Sequence, residues 1–124
     1  MYSLALTDLA TIESNKADFN SAYIHSKLAI RLRGITYGKK STAYATSAYI
    51  LSLSAAGLEK YNEAIQYGDV VLSYYSNNSI NDSINISQLE YIVGKSYFAL
   101  GNNNKSFEYL TNALNHFPTN MQSK

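Results

Sequence analysis

Two histidines, His25 and His116, are the residues of this 124-residue chain best suited to move a proton, and neither has a carboxylate beside it in sequence. An imidazole becomes a general base when a second group orients it and tunes its charge. Without one, each reads as a packing or surface residue of a helix. The nine Asp and Glu are scattered, with no paired spacing for acid–base work, and read as solvated faces. There is no glycine-rich phosphate loop and no metal-ligand cluster. The absence of cysteine removes thiol and disulfide chemistry. Three Asn-x-Ser triplets, at Asn77, Asn81 and Asn85, read as a polar loop, and become glycan acceptors only in a secreted chain. These residues predict no catalysis, no cofactor and no metal.

Charge points the same way. A net charge of +1 draws the chain to neither nucleic acid nor membrane. No acid occurs between Asp18 and Glu59, a gap holding Lys27, Arg31, Arg33, Lys39 and Lys40. That gap reads as a solvated helix end and loop, with Arg31 and Arg33 in a last turn favoured by the helix dipole. The uncharged run "STAYATSAYILSLSAAGL" (Ser41–Leu58) carries six Ser/Thr hydroxyls and ends at a glycine, which predicts a buried central helix rather than a membrane span. The N-terminal "MYSLALTDLATIES" has no basic start and no cleavage site, so a cytoplasmic location is expected.

The elements that position these residues repeat. Tyr61, Ala64 and Val71 have counterparts 42 residues later in Asn103, Ser106 and Ala113, and 42 earlier in Phe19, Ala22 and Ala29. Leu9-Ala10, Leu51-Ser52 and Val93-Gly94 keep the same step, each a bulky aliphatic followed by a small residue. Leu89, Val93, Tyr97 and Leu100 recur at helical spacing, as do Phe107, Leu110, Ala113, Leu114 and Phe117. Gly101-Asn102 is a helix stop and Pro118 a helix end. The small slots let paired helices approach closely, where a larger residue overpacks. The expected fold is all-α, a solenoid of three antiparallel helix pairs in one domain.

Residues 87–120 resemble one tetratricopeptide repeat at full length. Val93-Gly94 matches the family's Leu-Gly pair and Tyr97 its tyrosine, with Gly101 as turn glycine, Ser106 as small residue, Leu110, Ala113 and closing Pro118. Glu90 stands in place of the family's tryptophan. Weaker copies span about 45–78 and 3–36, separated by 37–44 and 79–86, so the 42-residue spacing resembles that of the kinesin light chain group. That group's paired asparagines are absent, with Tyr49-Ile50 and Tyr91-Ile92 in those slots.

The resemblance implies a concave groove lined by the first helix of each pair. By register its residues are Thr7 and Thr11, then Tyr49, Leu53 and Ala56, then Tyr91, Lys95 and Phe98. This set is aromatic and aliphatic with one cation, which suits a peptide or partner helix with apolar anchors. The slots that clamp a chaperone-tail carboxylate in the family are Thr7, Thr11, Ile50, Gln88 and Ile92 here, without a charge or an asparagine, so that ligand is not expected. The expected role is a non-catalytic adaptor binding a protein or peptide. The alternative is an assembly element, or a piece of a larger repeat protein, that self-associates through Phe107, Leu110, Leu114 and Phe117 of an uncapped last helix.

Overall fold

A computed structural model of the chain describes residues 2–117, which form six α-helices and, among the described residues, no strand. They are α1 (Tyr2–Asn15), α2 (Phe19–Tyr37), α3 (Thr42–Gly57), α4 (Tyr61–Asn77), α5 (Ser83–Ala99) and α6 (Asn103–His116). Consecutive helices pack as pairs, and the pairs stack through α2 on α3 and α4 on α5. Successive first helices also touch, α1 with α3 and α3 with α5, whereas the backbones of α2, α4 and α6 do not approach one another. The stack is therefore tighter on the side of the first helices, which makes that side the inner face.

The turn inside each pair is built the same way three times. Ala17, Glu59 and Gly101 occupy equivalent slots, and all have a left-handed backbone, with φ of 61°, 62° and 84°. In each turn this residue donates its N–H three residues back, and the next residue donates five back: Asp18 to Glu13, Lys60 to Ala55, Asn102 to Tyr97. These paired bonds satisfy carbonyls that the ending helix leaves open. Only the third copy uses glycine, which adopts this conformation without the side-chain clash that Ala17 and Glu59 bear. Asp18 and Asn102 then cap the following helix by accepting the Ser21 and Lys105 amides, while Lys60 in the same slot provides no side-chain cap.

The small slots are buried in each pair. Ala10, Ala22, Ser52 and Ala64 are fully buried, and Gly94 and Ser106 are buried in the last pair. The tolerance is narrow: a Cβ on Gly94 would stand 2.9 Å from Leu110 Cδ2 and 3.2 Å from its backbone nitrogen. Between pairs, a Cβ on Gly68 would stand 2.6 Å from Val93 Cγ2. The apolar core runs along the stack through Ile30, Ala48, Leu51, Val71 and Leu89, flanked by Tyr23, Tyr44, Tyr49, Tyr67 and Tyr75. Buried serines fit among them by donating to carbonyls, Ser52 to Ala64 (2.7 Å), Ser54 to Ile50 (2.8 Å) and Ser96 to Ile92 (2.7 Å).

Two expectations need adjustment, and one lies outside the described residues. The helices run on into 37–44 and 79–86, leaving turns of only 38–41 and 78–82, because Ser41 and Asp82 cap α3 and α5 at the Tyr44 and Asn85 amides. For the same reason Arg31 and Arg33 do not sit in a last turn. α2 continues to Tyr37, and Arg33 is buried with its Nη1 donating to the Ala43 carbonyl at 2.9 Å. Pro118 lies outside the described residues, as does the end of the third repeat. Phe117, just before it in sequence, has the extended backbone (φ −65°, ψ 134°) that a residue preceding proline favours.

Glycine at the strained slot should stabilise the fold. Glu59→Gly is expected to raise the unfolding free energy by up to about 1 kcal/mol in urea titrations. Equal stability of Glu59→Gly and Glu59→Ala would remove the strain argument. Gly94→Val should instead lower stability by about 2 kcal/mol or more, through collision with Leu110 at the helix crossing.

Candidate interaction surfaces

The inner face does not hold all the residues expected there. Thr7 is 3% exposed, because it is spent on the junction between pairs. Its Oγ1 donates to the Ser3 carbonyl at 2.9 Å, which leaves the Ser47 hydroxyl, 3.1 Å away on α3, to donate to it. Tyr49 is likewise a junction residue. Its ring packs on the core, and its hydroxyl donates to Gln88 Oε1 at 2.7 Å, with Asn85 Oδ1 at 3.1 Å. Burial, with Tyr75 and Asp82 nearby, pushes the Tyr49 phenol up to about 12. Thr11 is half-buried, donates to the Thr7 carbonyl, and lines a cleft with Tyr49 and Ile50.

Leu53, Ala56 and Lys95 do come together. They line an open depression of about 400 Å3 with Ser14, Asn15, Phe19, Gln88 and Ile92, so all three pairs contribute. Lys95 is the one charged residue in that lining. Phe19 reaches the site because Gly57 has no side chain, and a Cβ there would fall 2.4 Å from the ring. Gln88 and Ile92 were legible only as slots of a carboxylate clamp, and Phe19 only as a repeat marker.

Tyr91 and Phe98 belong elsewhere. They stand on the far side of α5, where the next pair would dock, and are 50% and 66% exposed. Tyr91 lines an apolar depression with Ile84, Leu110, Ala113, Leu114 and Phe117. Phe98 lines a second with Phe107, Leu110 and Leu114. Phe107 and Leu114 are each 74% exposed, while Leu110 and Phe117 are half-buried. The residues expected in the groove and those expected at the C-terminal face thus divide differently: the Tyr91 slot is taken up in junctions at Thr7 and Tyr49, while the Phe98 slot lines the inner depression at Ser14 and Ala56.

The outer face carries polar ties between second helices. Tyr23 donates to Glu63 Oε1 at 2.6 Å, Lys27 bonds Glu63 Oε2 at 2.7 Å, and Lys27 and Lys60 both lie near the Tyr23 ring. Burial opposes ionisation of Glu63, but the Lys27 and Tyr23 hydrogen bonds outweigh it and hold the carboxyl below its ordinary value. At the next junction Tyr109 donates to Asp69 at 2.9 Å. Burial keeps Asp69 above the ordinary carboxylate value, although Tyr109 and Lys105 act against it. The basic stretch is therefore dispersed: Lys27 serves Glu63, Arg33 serves a carbonyl, and Lys39 and Lys40 project from an exposed turn.

Each histidine has a carboxylate in space that its sequence neighbours lack. His25 Nδ1 lies 2.7 Å from Glu13, and His116 Nδ1 lies 2.8 Å from the buried Glu90. Both contacts clasp the two helices of one pair. No group of three His, Cys, Asp or Glu among the described residues could hold a metal ion. Asn85 of the Asn-x-Ser series is engaged with Asp82 and Tyr49. No helix among the described residues is long and apolar enough to cross a membrane.

The crystal structure of the TPR domain of Arabidopsis FLU is similar to this chain with a TM-score of 0.77. The match covers 92% of each chain at 21% sequence identity. The likeness is one of fold, and the six helices form a tetratricopeptide-repeat solenoid. No family model and no curated relative matches the sequence.

The Tyr49 junction sets an alkaline limit on stability. Its phenol stays protonated in the fold to about 12 but ionises near its ordinary value of 10.0 once unfolded, so stability falls as pH rises between the two. Tyr49→Phe should lose less stability than wild type between pH 9 and pH 11 in urea titrations, about 1 kcal/mol less. Parallel losses in the two proteins would exclude Tyr49 as the titrating group.

Proposed function

We propose that this chain, a stack of helix pairs with the tetratricopeptide-repeat fold, is a non-catalytic protein-interaction module. Its inner face takes a short segment of a partner protein. One observation carries the reading: residues of all three pairs converge on a single open depression, lined by Phe19, Leu53, Ala56 and Ile92, with Lys95 as its one charge. Such a lining accepts an apolar anchor side chain, and Lys95 selects an acidic residue beside it. The clamp slots support no terminal-carboxylate ligand, since Thr7 and Ile50 are buried and none of the five is basic. The histidine–glutamate pairs are accounted for as helix clasps, which supports the non-catalytic reading.

Selection of displayed random peptides on the wild-type chain tests this. The recovered sequences should share an aliphatic or aromatic residue next to Asp or Glu. Ala56→Arg, which fills the depression, should weaken them by tenfold or more, equivalent to about 1.4 kcal/mol. Lys95→Glu should shift selection from acidic to basic neighbours. Recovery of no peptide, or of peptides that bind Ala56→Arg as tightly as wild type, would discard the inner-face reading. Helical circular dichroism on each variant separates loss of binding from loss of fold.

A further inference from the structure

The two ends of the described stack carry the two halves of its own internal junction. Inside the molecule, α3 sits on the forward face of the first pair and α5 on that of the second. The forward face of the third pair is the apolar surface of Ile84, Tyr91, Phe98, Phe107 and Leu110. Ser87, whose buried Oγ has no hydrogen-bond partner among the described residues, lines it as well. The backward face of the first pair exposes Leu4, Leu9 and Ile12 of α1. The 42-residue register gives Leu9 the slot of Leu51 and Val93, both fully buried by the pair before them.

By register, the two ends carry the equivalents of residues that meet at the internal junctions. Ile30 and Leu51 share the buried cluster at the first junction, and their register equivalents in the last and first pairs are Leu114 and Leu9. Thr7 meets Ser47, and Tyr49 meets Gln88, across the two internal junctions. The corresponding end residues are Tyr91 on one side and Ala5 and Leu4 on the other, all exposed. The polar partners Ser47 and Gln88 are replaced by apolar Ala5 and Leu4 at the end, and one further slot gains charge. Thr11 and Ile50 line a common cleft at the first junction, as Leu53 and Ile92 do at the second, and all four are uncharged. At the ends the same slots hold Lys95 and Asp8, an exposed cation whose ammonium lies 5.9 Å from the Tyr91 ring and an exposed anion.

We infer that the chain associates head to tail with a second copy of itself. The α5/α6 face of one copy seats α1 of the next, and Lys95 pairs with Asp8 across the new junction. A second copy is favoured over an unrelated partner because both halves of the junction, with complementary charges, are present on one chain. The contact is heterologous, since the two faces differ, so it propagates to trimers and beyond rather than stopping at a dimer. This inference shares Lys95 with the inner-face reading, but it needs no peptide, so association measured without ligand tests it separately.

Sedimentation equilibrium from about 10 µM to 1 mM tests it without any ligand. The weight-average mass of the wild type should climb above the 13.8 kDa monomer with no plateau at the dimer. Lys95→Glu and Asp8→Lys alone should each weaken association by about 3- to 10-fold. An equimolar mixture of the two should recover it. The acid introduced on the forward face of one variant then meets the base introduced on the backward face of the other, and the unaltered Lys95 and Asp8 still meet in the remaining junctions. Leu9→Ala should weaken association without mixing rescue. A wild type that stays at 13.8 kDa throughout would overturn the inference. So would self-association indifferent to both charge changes, or a mixture no stronger than its components. Both charge variants lie at exposed positions, and circular dichroism checks their fold.

Discussion

The structure depends on how closely the two helices of each pair can cross. Ala10 and Ala22, Ser52 and Ala64, and Gly94 and Ser106 are buried small residues of the three pairs; Ser52 reaches the Ala64 carbonyl, and a Cβ on Gly94 would collide with Leu110. Close crossing fixes the relative placement of the two helices, and the left-handed turn at Ala17, Glu59 and Gly101 fixes the entry of the second. Once each pair has one geometry, each presents the same forward and backward faces, and stacking follows from burying them. The inner face is a consequence. Its first helices touch because successive pairs repeat one small rotation, while the second helices are held apart and bridged by long side chains.

That bridging explains an unusual composition. With few charges and twelve tyrosines, the chain ties its pairs together with phenols instead of ion-pair networks. Tyr23 to Glu63, Tyr109 to Asp69 and Tyr49 to Gln88 each place a hydroxyl on an acceptor of the neighbouring pair. The buried serines do the complementary work. They fill tight places with a small side chain and return their proton to a helix carbonyl, so little polar cost is left in the core.

Much of the fold was legible because small slots and helix stops are local facts. Val93-Gly94, Ser106 and Gly101 mark their helices without reference to anything distant. The surfaces were less legible, because register predicts which residues are equivalent and not which ones meet. Thr7 meets Ser47, Tyr23 meets Glu63 and Tyr109 meets Asp69, each 40 residues apart and so two short of the repeat. Tyr49 and Asn85, or Lys27 and Glu63, are 36 apart. A contact across a junction is displaced by part of a turn to a turn and a half from its equivalent slot. Hence Thr7 and Tyr49, read as groove residues by slot, are consumed in junctions, and the Glu13 and Glu90 partners of the histidines left no local trace.

The same distinction governs what each surface can do. A residue in a forward-facing slot has two fates, set by position in the array and not by type. Tyr49 is covered and hydrogen-bonded, while Tyr91, in the identical slot one pair later, remains half exposed beside Ile84 and Leu110. The slots of Lys95 and Phe98 behave differently, since Leu53 and Ala56, which hold them one pair earlier, line an open depression although α5 is already docked beside them. An exposed apolar residue in a forward slot therefore reports where the described stack stops, whereas one on the inner face reports a surface that stacking alone does not bury. Lys95 touches both situations. It edges the inner depression and occupies the slot that in the first two pairs faces the next helix, so its charge can be answered either by a bound segment or by the Asp8 of another copy.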